Sequence, residues 1–331
     1  MFKRGVSLYS FQEELFTGKM SVEDCVAFAA SIGANGIELL PEQTMKGFPN
    51  ITDHQVGEWK DMMARHGTVS SCYDMFLDTK RVKGRLLNDD EQIESIERDL
   101  KLANRLGFSI MRVLIFVRPD ILERCIPLAE KYDVKMGVEV HSPWYMDHPW
   151  IRRTTEVIQR TGTTHLGFVP DGGAFTKHFP PVMKARFIRQ GARQEIADYV
   201  EREFENRTLS EYVVYEVAEK MGGNRAEVAM AEQLRHQIYA DPRRLLEFMP
   251  YVFHIQAKFY EMTPDYVDPS IAYDDLIPVL IEGGYEGYLS SEYEGNRHIQ
   301  DVEEVDSVEV VRRQHVMFER LTAETLAVQS A

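Results

Sequence analysis

Long apolar runs are missing from this chain of 331 residues. None approaches the roughly 20 residues that a membrane-spanning helix needs. The N-terminus passes from Met1-Phe2-Lys3-Arg4-Gly5 straight into a strand pattern, with no apolar stretch of the secretory kind. A cytoplasmic protein away from the membrane is therefore expected. Cysteine is scarce too: Cys25, Cys72 and Cys125 form no close pair and no metal-like spacing, so they are expected to be reduced packing residues. Basic residues are outnumbered, 38 Lys and Arg against 53 Asp and Glu, for a formal charge of −15. Binding a phosphate backbone needs the opposite balance, which argues against nucleic acid as a partner. The densest mixed-charge region, 186–207, interleaves acids with its arginines and reads as a solvated helix surface. A glycine-rich dinucleotide turn is also lacking, since Gly33-Ala34-Asn35-Gly36 does not supply the full fingerprint after a first strand.

What remains is a regular alternation. Strand patterns fall at 6–10, 36–40, 68–74, 110–115, 134–141, 165–171, 252–259 and 287–294. Helical patterns separate them at 21–32, 52–66, 89–106, 120–132, 149–160 and 273–282, and a last helix covers 305–326. Ser21 with Asp24 resembles a helix cap, and Ile93, Ile96, Leu100 and Ala103 line one face of 89–106. The rhythm breaks after Asp171, where about 80 residues precede the next strand, far beyond an ordinary loop plus helix. Helices at 184–206, 209–221 and 226–239 account for most of that gap. No Pro/Gly/Ser-rich linker brackets it. The expectation is one domain over 1–331: a (β/α)8 TIM barrel with a helical insertion, 172–250, between strands 6 and 7. An open doubly wound sheet is the second choice.

In a barrel the C-terminal strand ends share one mouth. The stretch 135–143 is an apolar strand ending in Glu139 and His141, two residues apart and so on one face. The later strands deliver Asp171, then His254, Gln256 and Lys258, then Glu292 and Glu294. Buried and unpaired, three such carboxylates would repel one another and lose hydration. A divalent cation would resolve the conflict, and oxygen-rich donors suit Mn²⁺ or Mg²⁺ better than structural zinc. Alone, any one of these groups reads as a salt-bridge, turn or core residue. Their coincidence on four neighbouring strands favours the metal site.

These residues resemble the xylose-isomerase-like barrel superfamily of sugar isomerases and epimerases. The resemblance runs over nearly the whole chain: Gly5 with Ser10 five residues on, Gly36-Ile37-Glu38, and the strand ends. It implies metal ligands at Glu139, Asp171, the seventh-strand position and Glu292. That seventh strand departs from the family's His-x-His-x-Lys, because His254-Ile255-Gln256-Ala257-Lys258 puts Gln256 where the second histidine binds, with His254 on the same face as the alternative ligand. The sixth-strand Asp-x-x-His is absent as well, with Ala174 in the fourth place.

Glu139-Val140-His141-Ser142-Pro143, Pro170-Asp171-Gly172-Gly173, the insertion and 254–260 together are similar to the larger subunit of bacterial C-glycoside deglycosidases. That similarity implies a metal-dependent carbon–carbon lyase acting on a 3-oxo-C-glycoside. It further implies Mn²⁺ ahead of Mg²⁺, His141 as general acid or base, His254 and Lys258 against the substrate, and a small β-rich partner subunit. A metal-dependent sugar or keto-sugar isomerase or epimerase, and a non-catalytic barrel subunit of a complex, are the alternatives.

Overall fold

The computed structural model describes residues 1–329. Its strands are β1 Lys3–Ser7, β2 Gly36–Leu39, β3 Val69–Met75, β4 Ile110–Val113, β5 Lys135–Val140, β6 Leu166–Pro170, β7 Ile255–Phe259 and β8 Tyr288–Tyr293. Every neighbouring pair is parallel, in the order β6-β5-β4-β3-β2-β1-β8-β7. The two terminal strands of that order meet through single bridges, Phe168 with Val252 and Asp171 with Gln256. The result is a nearly closed eight-stranded barrel ringed by helices, the TIM barrel that strict strand–helix alternation implies. No helix among the described residues is long and apolar enough to cross a membrane. All three cysteines are free and buried.

The helices begin where local chemistry starts them. Ser21 and Asp24 form a reciprocal capping box, as do Thr52 with Gln55 and Asn88 with Glu91; each satisfies two backbone donors that would otherwise lack partners. Helix Asp89–Leu106 buries Ile96, Leu100 and Ala103 and stops at Gly107 in the left-handed conformation.

Several boundaries differ from the sequence pattern. The first strand ends at Ser7, because Ser10 Oγ donates to the Ser291 carbonyl and accepts from Tyr293 N, turning 8–11 over the end of β8. The expected 184–206 helix is two, Pro181–Arg189 and Gln194–Glu205, parted at Gly191 with φ +103°. The 226–239 helix ends at Glu232. Beyond it the chain is drawn out to pair Phe175 with Tyr239, and Ser142 Oγ fastens to the His236 carbonyl at 2.6 Å. Residues 236–240 are thereby pinned to the loops after β5 and β6.

The seam between β6 and β7 demands glycine. A Cβ on Gly167 would lie 2.4 Å from the Tyr251 carbonyl oxygen and 2.6 Å from the Phe253 ring. Gly167→Ala is therefore expected to destabilise the fold by about 1–3 kcal/mol, since the obstructing atom is backbone and cannot rotate away. A shift in the urea midpoint at unchanged m-value would show it, and an unshifted midpoint would mean the seam relaxes to admit a methyl group.

Candidate metal and substrate site

Alternation of side chains brings the strand-end groups inward at one mouth. Asp171, just beyond β6, is fully buried. Its Oδ1 accepts from Gly173 N at 2.7 Å, and its Oδ2 lies 3.1 Å from Lys258 Nζ at an angle that makes no hydrogen bond. Gln256 Nε2 donates to Glu38 Oε1 at 3.0 Å and Glu292 Oε1 at 3.4 Å, so its own Oε1 has no partner. Glu292 Oε2 likewise has no hydrogen bond, with Lys258 Nζ 3.7 Å away. Lys258 Nζ is also 3.5 Å from Glu294 Oε1. Glu139 stands on β5 and accepts from Arg112 Nη1 at 3.0 Å.

Arg112 on β4 is absent from the set read in the sequence, as is Asp74 on β3, which accepts from Arg112 Nε at 3.2 Å. Glu38 appears there only as part of a family motif. Arginine inside the apolar run Ile110-Met111-Arg112-Val113 was the available signal. Its presence changes the charge argument. Repulsion among the carboxylates is offset in part, because Arg112 and Lys258 are both buried among them. Burial alone would raise the Glu139 carboxyl, but Arg112, with His141 and Lys258, holds it below the usual range. Glu292 goes the other way: burial, with Asp171 and Glu294 nearby, outweighs Lys258 and pushes it well up. Burial would depress the Lys258 ammonium, yet Asp171, Glu294 and Glu292 keep it well above its ordinary value.

A resident metal must therefore be argued from donors rather than from net charge. Asp171 Oδ2, Gln256 Oε1 and Glu292 Oε2 are buried oxygens without hydrogen bonds, on three successive strands. Other buried oxygens of the chain also lack hydrogen bonds, Glu14 Oε2 and Asp74 Oδ2 among them, and what sets these three apart is their place on successive strand ends. As hard oxygen donors they fit a divalent cation. A second grouping, Glu38, Cys72 and His254, brings mixed donors within 4.8 Å of one another, all buried. There His254 Nε2 is 2.5 Å from Glu38 Oε2, and burial lowers the imidazole to about 4. An ion at that place would first displace an existing hydrogen bond, so the oxygen set at the mouth fits better.

His254, expected against the substrate, is fully buried beneath Gln256 and Lys258, bonded to Glu38. Lys258 does reach the open space. A cavity of about 460 Å³ has His141, Lys258, Tyr260 and Glu294 on its barrel side. Its other wall is the insertion, including Met183, Arg186, Phe187 and Gln190. Arg186, Phe187 and Gln190 correct the reading of 186–207 as solvated surface at its first turns alone, since most of its later charged residues are exposed. A cavity of about 530 Å³ at Ile110, Lys135 and Gly287 lies at the opposite, N-terminal ends of the strands, away from these groups.

His141 follows β5 and is half-buried. Its Nδ1 makes a short contact with the Ser142 carbonyl. A carbonyl can only accept, so Nδ1 carries a proton, and Nε2 makes no hydrogen bond among the described residues.

Comparison with known proteins places this geometry. Residues 26–314 match the xylose isomerase-like TIM barrel family. The 3'-dehydrocarminate deglycosidase alpha subunit of a Microbacterium species is 32% identical, over 97% of this chain and 95% of its own length. A C-glycoside deglycosidase alpha subunit of Arthrobacter globiformis is 29% identical over 97% and 93%. Among solved structures, L-ribulose 3-epimerase aligns with a TM-score of 0.60 at 10% identity, covering 100% of this chain and 97% of that one. A zinc-bound IOLI protein aligns at 0.55 and 14%, covering 98% and 99%. At such identities these two speak for the fold alone. The chain is an enzyme of the xylose isomerase-like TIM barrel family, similar along nearly its whole length to the alpha subunits of C-glycoside deglycosidases.

Proposed function

We propose that this enzyme is a metal-dependent carbon–carbon lyase that splits a 3-oxo-C-glycoside into a dehydro-sugar and an aromatic aglycone. The observation that carries the reading is a set of three buried oxygens lacking hydrogen bonds on successive strands, two of them within 3.7 Å of Lys258 Nζ, with Lys258 itself lining the cavity that His141 also lines. The similarity to deglycosidase alpha subunits supports the same chemistry. Glu139, Asp171, Gln256 and Glu292 would hold the ion, Mn²⁺ in preference to Mg²⁺. Bound there, it supplies Lewis acidity that favours the enediolate form of the sugar beside its 3-oxo group.

The chain's own residues do the rest. The bond from the sugar to the aryl carbon is β to the ketone, so loss of the intervening C–H proton lets that bond break as a C=C forms. His141 Nε2 takes the proton of an aglycone phenol, which raises electron density at the aryl carbon; that carbon gains one proton as the sugar carbon loses one, and His141 returns its own to the departing phenolate oxygen, so the cleavage is redox-neutral with no net proton gained or lost. Lys258 places a fixed positive charge beside the oxygens on which negative charge develops. The insertion and the barrel mouth enclose the reacting bond. A small β-rich partner subunit is part of the proposal, since the relatives are named alpha subunits.

The direct test is incubation of the purified protein, with any co-purifying subunit, with a 3-oxo-C-glycoside, following aglycone release by chromatography. Deuterium uptake into simple ketoses without aglycone release would instead establish an isomerase. Protein purified without chelator should carry a stoichiometric divalent metal. Glu139→Gln and Glu292→Gln should each lose it on dialysis, and full retention in both would remove these residues from the ligand set.

A further inference from the structure

Helix Pro181–Arg189, on the insertion side of the cavity, carries three cations besides its apolar positions. Two are answered. Lys184 Nζ pairs with Asp198 at 2.6 Å and Arg189 Nη2 with Asp301 at 2.8 Å. The Arg186 guanidinium has neither a hydrogen bond nor an ion pair among the described residues, although it lines the cavity and is only partly exposed. The other cations of that lining are also matched: Lys258 by Asp171, Glu292 and Glu294, and Arg297 by Glu294 and the Tyr9 hydroxyl. Asp301, already paired with Arg189, feels the Arg186 charge without touching it, so a guanidinium with no direct partner faces the space where substrate would bind. Its neighbour His298 is buried, with Nδ1 unpartnered, and burial together with Arg186 and Arg297 lowers it to about 4, so it stays neutral and adds no charge.

Partly desolvated guanidinium groups are usually matched, and their planar fork suits a two-oxygen anion. The chain as a whole, at −15, repels anions, and that repulsion is screened beyond roughly 8 Å at physiological salt, so an acidic ligand needs a dedicated local cation. Met183 and Phe187, at i−3 and i+1 from Arg186, line the same cavity with apolar side chains.

We propose that Arg186 binds an anionic oxygen group of the substrate, a carboxylate or a phosphate, and so selects acidic substrates. The assignment rests on the lyase reading for the place of the substrate. The apolar neighbours favour an aromatic carboxylate on the aglycone, and a sugar phosphate is the other source.

Two probe pairs separate them by calorimetric titration of the full chain: 3,4-dihydroxybenzoate against its amide, and glucose 6-phosphate against glucose. A charge-assisted pair should make the anion bind about ten-fold or more tightly than its neutral partner. The pair that shows the gap identifies the source. Arg186→Met should erase the gap and Arg186→Lys should keep part of it, with metal content and thermal midpoint checking that both variants fold. No gap in either pair, or a gap that survives Arg186→Met, overturns the proposal. Aglycone release from a 3-oxo-C-glycoside is scored separately: absence of release with the gap intact removes the lyase reading and leaves the anion site standing.

Discussion

Alanine at position 141 should leave the metal in place and cut turnover by about 10²–10⁴-fold, the range that a positioned proton-transfer group contributes. The ring lines the cavity beside Lys258 and Glu294, and its Nδ1 is committed to the Ser142 carbonyl. Removing it takes away Nε2 and little packing, because the side chain is only half-buried. Metal content by elemental analysis and aglycone release, measured on one preparation, separate the outcomes. Loss of both would make His141 a support for Glu139, which stands two residues away on the same face. Retained turnover would exclude it from the chemistry.

Arg112→Leu should unfold the barrel far more readily than a surface change, costing about 3–5 kcal/mol, because it strands the buried Glu139 carboxylate and takes the arginine donor from Asp74, whose carboxyl burial already pushes well up. The cost comes from the charge left behind more than from the lost contact. Arg112→Lys should recover part of it, since one ammonium can face one carboxylate but cannot bridge both with a planar fork. Denaturant midpoints at constant metal loading would measure the effect. A loss below 1 kcal/mol would mean that Asp74 and Glu139 find other partners.

Much of the mouth was legible because polar groups in apolar strands are conspicuous. Glu139, Asp171, Gln256, Lys258 and Glu292 interrupt Val, Ile and Phe runs at a period of two, and the structure brings them together. Arg112 was just as exceptional in its strand, but a lone arginine names no partner until the fold supplies Asp74 and Glu139. His254 shared its periodicity with Gln256 and Lys258, yet periodicity fixes a face and says nothing of depth, and the structure puts it in the closed layer beneath them. The cavity's far wall was least readable. Which side of helix Pro181–Arg189 meets the barrel depends on the break at Gly191 and on the tie between Ser142 and His236, neither of which a helical pattern encodes.

The seam between β6 and β7 also bears on how such a chain could gain its second wall. Closing the ring there requires the chain to return across roughly 80 residues, where about 25 separate β5 from β6, and loop-closure entropy grows only with the logarithm of length, so the added cost is about 1 kcal/mol. The strands on either side keep their full ladders, and only two bridges span the joint. An ancestral barrel could therefore lengthen this one connection in steps, each nearly neutral for folding, and remodel what its mouth admits while leaving the oxygen cage alone.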